Sequence, residues 1–97
     1  MTTPSNPIAV RFGKNLARQR QRAKLSQEAL AFPAGLHRTE IGLLERGERC
    51  PRIDTVVKLA AALNVSADDL VEGITWNPGS VQRGGFGLVQ PDSSQDA

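Results

Sequence analysis

Histidine, cysteine, methionine and tryptophan occur once each in these 97 residues, phenylalanine occurs three times and tyrosine is absent. A single cysteine, Cys50, excludes an internal disulfide. One histidine and one cysteine cannot fill a zinc site, so no metal is expected. No apolar run is long enough to cross a bilayer, and the opening MTTPSNP lacks the charged and apolar regions of a signal peptide. A soluble, cytoplasmic chain is the expectation. There is also no phosphate-binding loop, no Ser or Cys nucleophile beside a plausible base, and no set of carboxylates at catalytic spacing. The chain does not read as an enzyme, and it calls for no cofactor. Its length admits one domain with a modest core.

What is present is unevenly charged. The formal net charge is only +2, yet residues 1–52 hold ten Lys and Arg against four Asp and Glu, while residues 53–97 hold two against six. One end is basic and the other acidic. Arg11, Lys14, Arg18, Arg20, Arg22 and Lys24 all precede the first acidic residue, Glu28. Such a cluster can neutralise phosphates and steer a polyanion, or it can be an ordinary solvated helix face.

Hydrophobic spacing predicts helices over most of the chain. Ile8, Phe12, Leu16 and Ala23 mark a first helix over about residues 8–24. Ser26 is a suitable N-cap for a second, in which Ala29, Leu30 and Ala31 form an apolar patch before Gly35 ends it. Leu36, Ile41 and Leu44 make the inward stripe of a third, over about residues 38–46, ending at Gly47. Ile53, Val56, Val57, Ala60 and Leu63 have the offsets of a buried stripe on a fourth, closed by Asn64. Ser66 and Asp69 then form a capping-box-like start for a fifth, with Val65 and Leu70 spaced as a hydrophobic staple. After Gly73 the apolar residues are scattered among glycines, asparagine and proline. Residues 86–90 read as a short extended segment, and Trp76 is expected to fold back over helices four and five, the alternative being a dimer or partner surface.

Helices two and three meet across a glycine turn. The stretch SQEALAFPAGLHRTEIGLLERG, Ser26 to Gly47, resembles the helix-turn-helix of the phage repressor and Cro (Xre) superfamily at Leu25, Ser26, Gln27, Glu28, Leu30, Ala31, Gly35, Leu36, Ile41, Glu45, Arg46 and Gly47. The likeness runs from about Phe12 to Glu72. It implies an all-α, five-helix, lambda-repressor-like bundle with an irregular C-terminal tail. The divisions expected are a flexible arm at 1–7, a DNA-binding domain at 8–73, an irregular or short extended extension at 74–90 and a disordered tail at 91–97. Pro33 and Glu40 depart from the usual pattern. Pro33 should end or bend helix two early. Glu40, three residues after His37, reads as helix-start capping in preference to a cytosine contact.

The resemblance makes helix three the reader of the DNA major groove, with His37, Arg38, Thr39 and Leu43 nearest the base edges. Arg38 suits a bidentate contact to guanine, or a phosphate. Thr39 can touch a thymine methyl or hydrogen-bond a base, Leu43 offers only apolar contact, and His37 can serve as a cap or reach a phosphate. Gln27 is implied to meet the DNA backbone and brace helix three. Arg46 and Arg49 are placed to reach flanking phosphates, the alternative being idle surface charges on a turn, and Lys14 of the basic cluster is a further phosphate candidate. Arg20 and Glu45 are implied to be a structural ion pair. The function implied is a sequence-specific regulator of transcription, a homodimeric repressor on an inverted repeat of double-stranded DNA. The alternative is an antitoxin or controller-type interaction module whose C-terminal extension binds a protein partner.

Overall fold

The computed structural model describes residues 6–79 and 84–89. It contains α1 (Pro7–Arg22), α2 (Gln27–Ala34), α3 (Arg38–Glu45), α4 (Ile53–Leu63) and α5 (Ala67–Leu70), followed by β1 (Ile74–Asn77) and β2 (Gly85–Leu88). The first five residues of the expected arm and the tail at 91–97 lie outside the described residues.

Local chemistry sets the helix ends. Asn6 Oδ1 accepts from the amides of Ile8 at 2.9 Å and Ala9 at 3.4 Å, and Pro7 needs no partner at the first helical position. Helix one therefore starts inside the segment expected to be arm. It stops at Arg22, two residues early, because Lys24 has turned to φ 60. Ser26 Oγ caps α2 through Ala29 N at 3.0 Å, and Gly35 closes that helix at φ 67, a conformation glycine adopts without a Cβ clash. Pro33 does not end α2 early. It stands in the final turn, where the bond it forgoes is to the carbonyl of exposed Ala29, and Phe32 before it points into solvent at 88% exposure. Asn64 closes α4 in the left-handed region, and Ser66 with Asp69 completes a capping box on α5.

Phe12, Leu16, Leu30, Ile41, Leu44, Leu59 and Leu70 are fully buried and hold the five helices together. Two expected stripes are rotated. On α1 the buried face is Ala9, Phe12, Gly13, Asn15, Leu16 and Gln19, while Ala23 lies exposed past the helix end. On α4 it is Thr55, Val56, Leu59, Ala60 and Leu63, leaving Ile53 and Val57 at 78% and 58% exposure. Helix four packs between α2 and α5, which centres its contact on Leu59. Ala29, at the exposed start of α2, likewise stays outside.

The closest approach is between α1 and α3. A side chain at Gly13 would meet the Leu44 carbonyl and, at 2.7 Å, that of Glu45, so only glycine lets the two backbones touch. Beside it, buried Asn15 donates to the carbonyls of Leu70 at 2.9 Å and Glu72 at 3.0 Å, tying α1 to the end of α5.

In the extension β2 falls on the expected short extended segment, whereas β1 was not foreseen. Strands β1 and β2 pair antiparallel, with Ile74 opposite Leu88 and Trp76 opposite Phe86. By this register Ile74, Trp76, Phe86 and Leu88 share one face. Only Ile74 packs on the core. Trp76 does not fold over helices four and five; it remains 54% exposed and meets Phe86 edge to face at 4.9 Å. Its neighbours' small size explains the geometry, since a side chain at Gly84 would strike the Trp76 ring at 2.7 Å and one at Gly87 the Thr75 hydroxyl at 2.9 Å. Arg11 fastens the hairpin to α1 by donating to the Val89 carbonyl at 2.6 Å.

Gly13→Ala should lower the stability of the fold by about 1–3 kcal/mol through overpacking against rigid backbone. Gly85→Ala, with nothing within 4 Å of an added Cβ, should stay within about 0.5 kcal/mol of the parent. Urea unfolding followed by circular dichroism measures both, and equal effects would contradict the α1–α3 packing.

Candidate nucleic-acid interface

Helix three is held from behind by one carboxylate. Glu45 Oε2 accepts from Arg20 Nε at 2.6 Å and its Oε1 from Arg20 Nη2 at 3.1 Å, a bidentate pair from α1 to α3 with side chains 15% and 9% exposed. Arg20 Nη1 also donates to the Leu25 carbonyl at 2.8 Å, fixing the turn into α2. Gln27 Nε2 donates to the same Glu45 Oε1 at 3.0 Å, so the first residue of α2 joins the network. The hydrogen bond that Arg20 donates to Glu45 raises the Arg20 pKa above the ordinary guanidinium value, against the opposing effect of burial and with direct charge attraction adding to it. A raised pKa stabilises the fold at every pH below the unfolded arginine's own titration, and the benefit is lost only above the folded one. The Arg20 guanidinium is thus charged throughout any working range.

With its inner side fixed, α3 presents its first turn outward. His37 caps the helix, its Nδ1 accepting from Thr39 N at 3.0 Å. Arg38 and Thr39 follow and are exposed, while Leu43 is half-buried one turn on. Arg38 stands beside Glu28 of α2 at 3.6 Å, and His37, Arg38, Leu36 and Phe32 line one shallow depression between α2 and α3. Gly42 is buried beneath Arg46 and Gln27; a Cβ there would lie 3.0 Å from Arg46 Nη1 and 3.7 Å from Gln27 Oε1. This brings Gln27 and Arg46 together over the outer side of α3. Gly47 turns the chain away at φ 72, packed on Val10 of α1.

The carboxylate of Glu40 is not a cap. A capping-box carboxylate at this position would accept from the amide of His37, whereas Glu40 Oε1 accepts from Arg49 Nη1 at 2.6 Å. Arg49 is therefore engaged by its own chain, and Arg46 likewise donates to Glu48 at 2.9 Å. Lys14 stands apart from these groups, lining a groove with Pro7, Val10, Arg11 and Leu88 on the hairpin side of α1. Sequence reasoning missed Arg52 and Lys58, which share a polar cleft with Glu40 and Arg49 between α3, the linker and the start of α4. The signal was available in Arg52, which follows Pro51 and directly precedes the fourth helix, where backbone amides point outward.

Among the described residues no group of His, Cys, Asp and Glu could hold a metal ion, and no helix is long and apolar enough to cross a membrane. The arrangement can position cations and a helix start against an extended polyanion.

A model of the helix-turn-helix family matches residues 16–70. The chain belongs to this family. The control protein C.BamHI of Bacillus amyloliquefaciens is 39% identical over 72 residues, spanning 73% of this chain and 89% of that protein. The crystal structure of the restriction-modification controller C.AhdI from Aeromonas hydrophila superposes with a TM-score of 0.65 at 40% identity, over 67% of this chain and 98% of that one. The P22 c2 repressor, solved in complex with a synthetic operator, gives a TM-score of 0.60 at 31% identity, over 64% and 94%. The protein is a helix-turn-helix DNA-binding transcriptional regulator of the Xre/Cro type, related to restriction-modification controllers and belonging to a family of regulators, not of enzymes.

Replacing Glu45 by Ala should destabilise this regulator by about 2–4 kcal/mol, since it strands a part-buried guanidinium; full burial would put the loss at the top of that range or above. Combining Arg20→Ala with Glu45→Ala should cost less than the sum of the single losses. A double-mutant cycle by chemical denaturation measures this, and strict additivity would show that the pair does not couple α1 to α3.

Proposed function

We propose that this regulator acts as a homodimer on an inverted-repeat operator, placing α3 of each subunit in the major groove of successive half-sites and repressing by occupancy. One observation carries this reading: the first turn of α3 stands exposed with Arg38 and Thr39, on a helix pinned to α1 and α2 through Glu45. Arg38 is the base reader, bidentate to guanine O6 and N7. Thr39 and half-buried Leu43 add a methyl or apolar contact, and His37 stays at the helix start as cap and neighbour of a phosphate. Gln27 and Arg46, side by side over Gly42, contact the backbone, as does Lys14 at the far flank, while Arg49, held by Glu40, adds little there. Two half-sites would lie about one helical turn apart on one face of the duplex.

Dimerisation is supported by the exposed apolar pair Ile53 and Val57, one turn apart on α4, by Val71 after α5 and by the Trp76 and Phe86 face of the hairpin. A second reading draws on the hairpin lying beyond the family-matched residues: its apolar face captures a protein partner, with DNA binding subordinate. A Trp76→Ala, Phe86→Ala variant separates the two. Retained dimer and operator affinity with loss of a co-purifying protein favours the partner; loss of the dimer favours the first reading.

Selection from a random duplex library should recover a two-fold symmetric site containing guanine at the position facing Arg38. Arg38→Ala should lose about 1–3 kcal/mol on the selected duplex and relax the preference at that position alone. Fluorescence polarisation on matched and altered duplexes measures it. Equal affinity for every sequence, in parent and variant, would refute specific readout.

A further inference from the structure

Residues 26–52, which carry the helix-turn-helix and its linker, contain four arginines and four glutamates, a formal charge of zero. Each arginine has a carboxylate of the same chain beside it: Arg38 with Glu28, Arg46 with Glu48, Arg49 with Glu40 and Arg52 with Asp54. Most of these pairs are open to water on both sides and exchange readily. The Glu40–Arg49 pair differs. It is short at 2.6 Å, its carboxylate is only 24% exposed, and it joins the first turn of the recognition helix to the linker.

We propose that Glu40 is a selectivity residue that works by restraint, holding Arg49 on the protein so that the binding face gains little from phosphates of arbitrary sequence. The inference rests on DNA binding by this face, as set out above. Binding to arbitrary duplex comes almost wholly from cations that replace condensed counterions on phosphates. An arginine already neutralised by a carboxylate contributes little to that exchange, and pulling Arg49 away leaves a half-buried carboxylate facing a polyanion. The effect is larger off the operator than on it. On arbitrary sequence the protein can settle in whichever register gives most phosphate contacts, and a released Arg49 would find one. At the selected site the base contacts of Arg38 and Thr39 lock the register, so a released Arg49 gains less.

The test measures affinity of the full chain and its Glu40→Gln variant for the selected duplex and for a scrambled duplex of equal length, across a potassium chloride series. The variant should bind the scrambled duplex about 3- to 10-fold more tightly at low salt, and the slope of log affinity against log salt should steepen by about 0.9, one further phosphate neutralised. Its preference for the selected duplex should fall several-fold. In an Arg49→Ala background the same Glu40→Gln change should leave the salt slope unaltered, which separates release of Arg49 from general removal of a negative charge. An unchanged slope, weaker binding to scrambled duplex, or an equal change with Arg49 absent would overturn the proposal. Failure of the parent chain to prefer any duplex would instead overturn specific recognition itself; the circular dichroism spectrum confirms that each variant is folded.

Discussion

Glu45 is the point on which the recognition helix turns, because two of its neighbours in space come from the two other elements that must hold α3 still. Arg20 reaches it from α1 and Gln27 from the start of α2, and Arg20 also bonds the Leu25 carbonyl at the bend between them. An eight-residue helix has few backbone bonds and little rigidity of its own. Its orientation must be imposed from outside, by the apolar anchors Ile41 and Leu44 below and by this charged network at its end. Gly13 allows the α1 and α3 backbones to close until the bidentate geometry is reached. If Arg38 reads a base as proposed, its placement at the far end of α3 depends on that closure.

Net charge is a poor guide to this binding surface, and the pairing explains why. The basic half of the sequence owes its excess to α1, where Arg11, Arg18 and Arg20 serve the fold: Arg11 holds Val89, Arg18 pairs with Glu72 and Arg20 with Glu45. The segment that carries the helix-turn-helix and its linker is balanced. A surface of that kind attracts a polyanion weakly at long range and must win its affinity from contacts formed at close range, which is where base sequence is expressed. Modest charge and specific recognition are therefore compatible, and a strongly basic face would have favoured indiscriminate binding.

Features set by neighbours in sequence were legible, and features set by neighbours in space were not. Ser26, Gly35, His37, Asn64 and the Ser66–Asp69 box act within one helical turn, so their side-chain chemistry speaks directly. On α4 the expected Val56, Ala60 and Leu63 are buried, but Leu59 takes the place assigned to Ile53 and Val57, because offsets of three and four fit two adjacent faces and the packing of α2 and α5 chooses between them. Glu40 read as a cap from spacing, yet its partner Arg49 is nine residues away across a turn. A short extended segment at residues 86–90 was legible, but its pairing with β1 was hidden for the same reason. Its glycines looked like breaks, whereas Gly84 and Gly87 clear room for the Trp76 ring and the Thr75 hydroxyl across the strand pair.

Helix one links the two halves of the molecule through different faces. Gly13, Leu16 and Arg20 turn toward α3, while Arg11, Asn15 and Arg18 hold the end of α5 and the hairpin. A two-stranded ribbon is marginal in water by itself, so the appended strands depend on Arg11 and on Ile74 against the core for their place. The dependence runs through a rigid 16-residue helix whose opposite side sets the pose of the recognition helix. The extension is thus tied through Arg11 to the same helix that carries Arg20, even though it lies outside the family-matched residues.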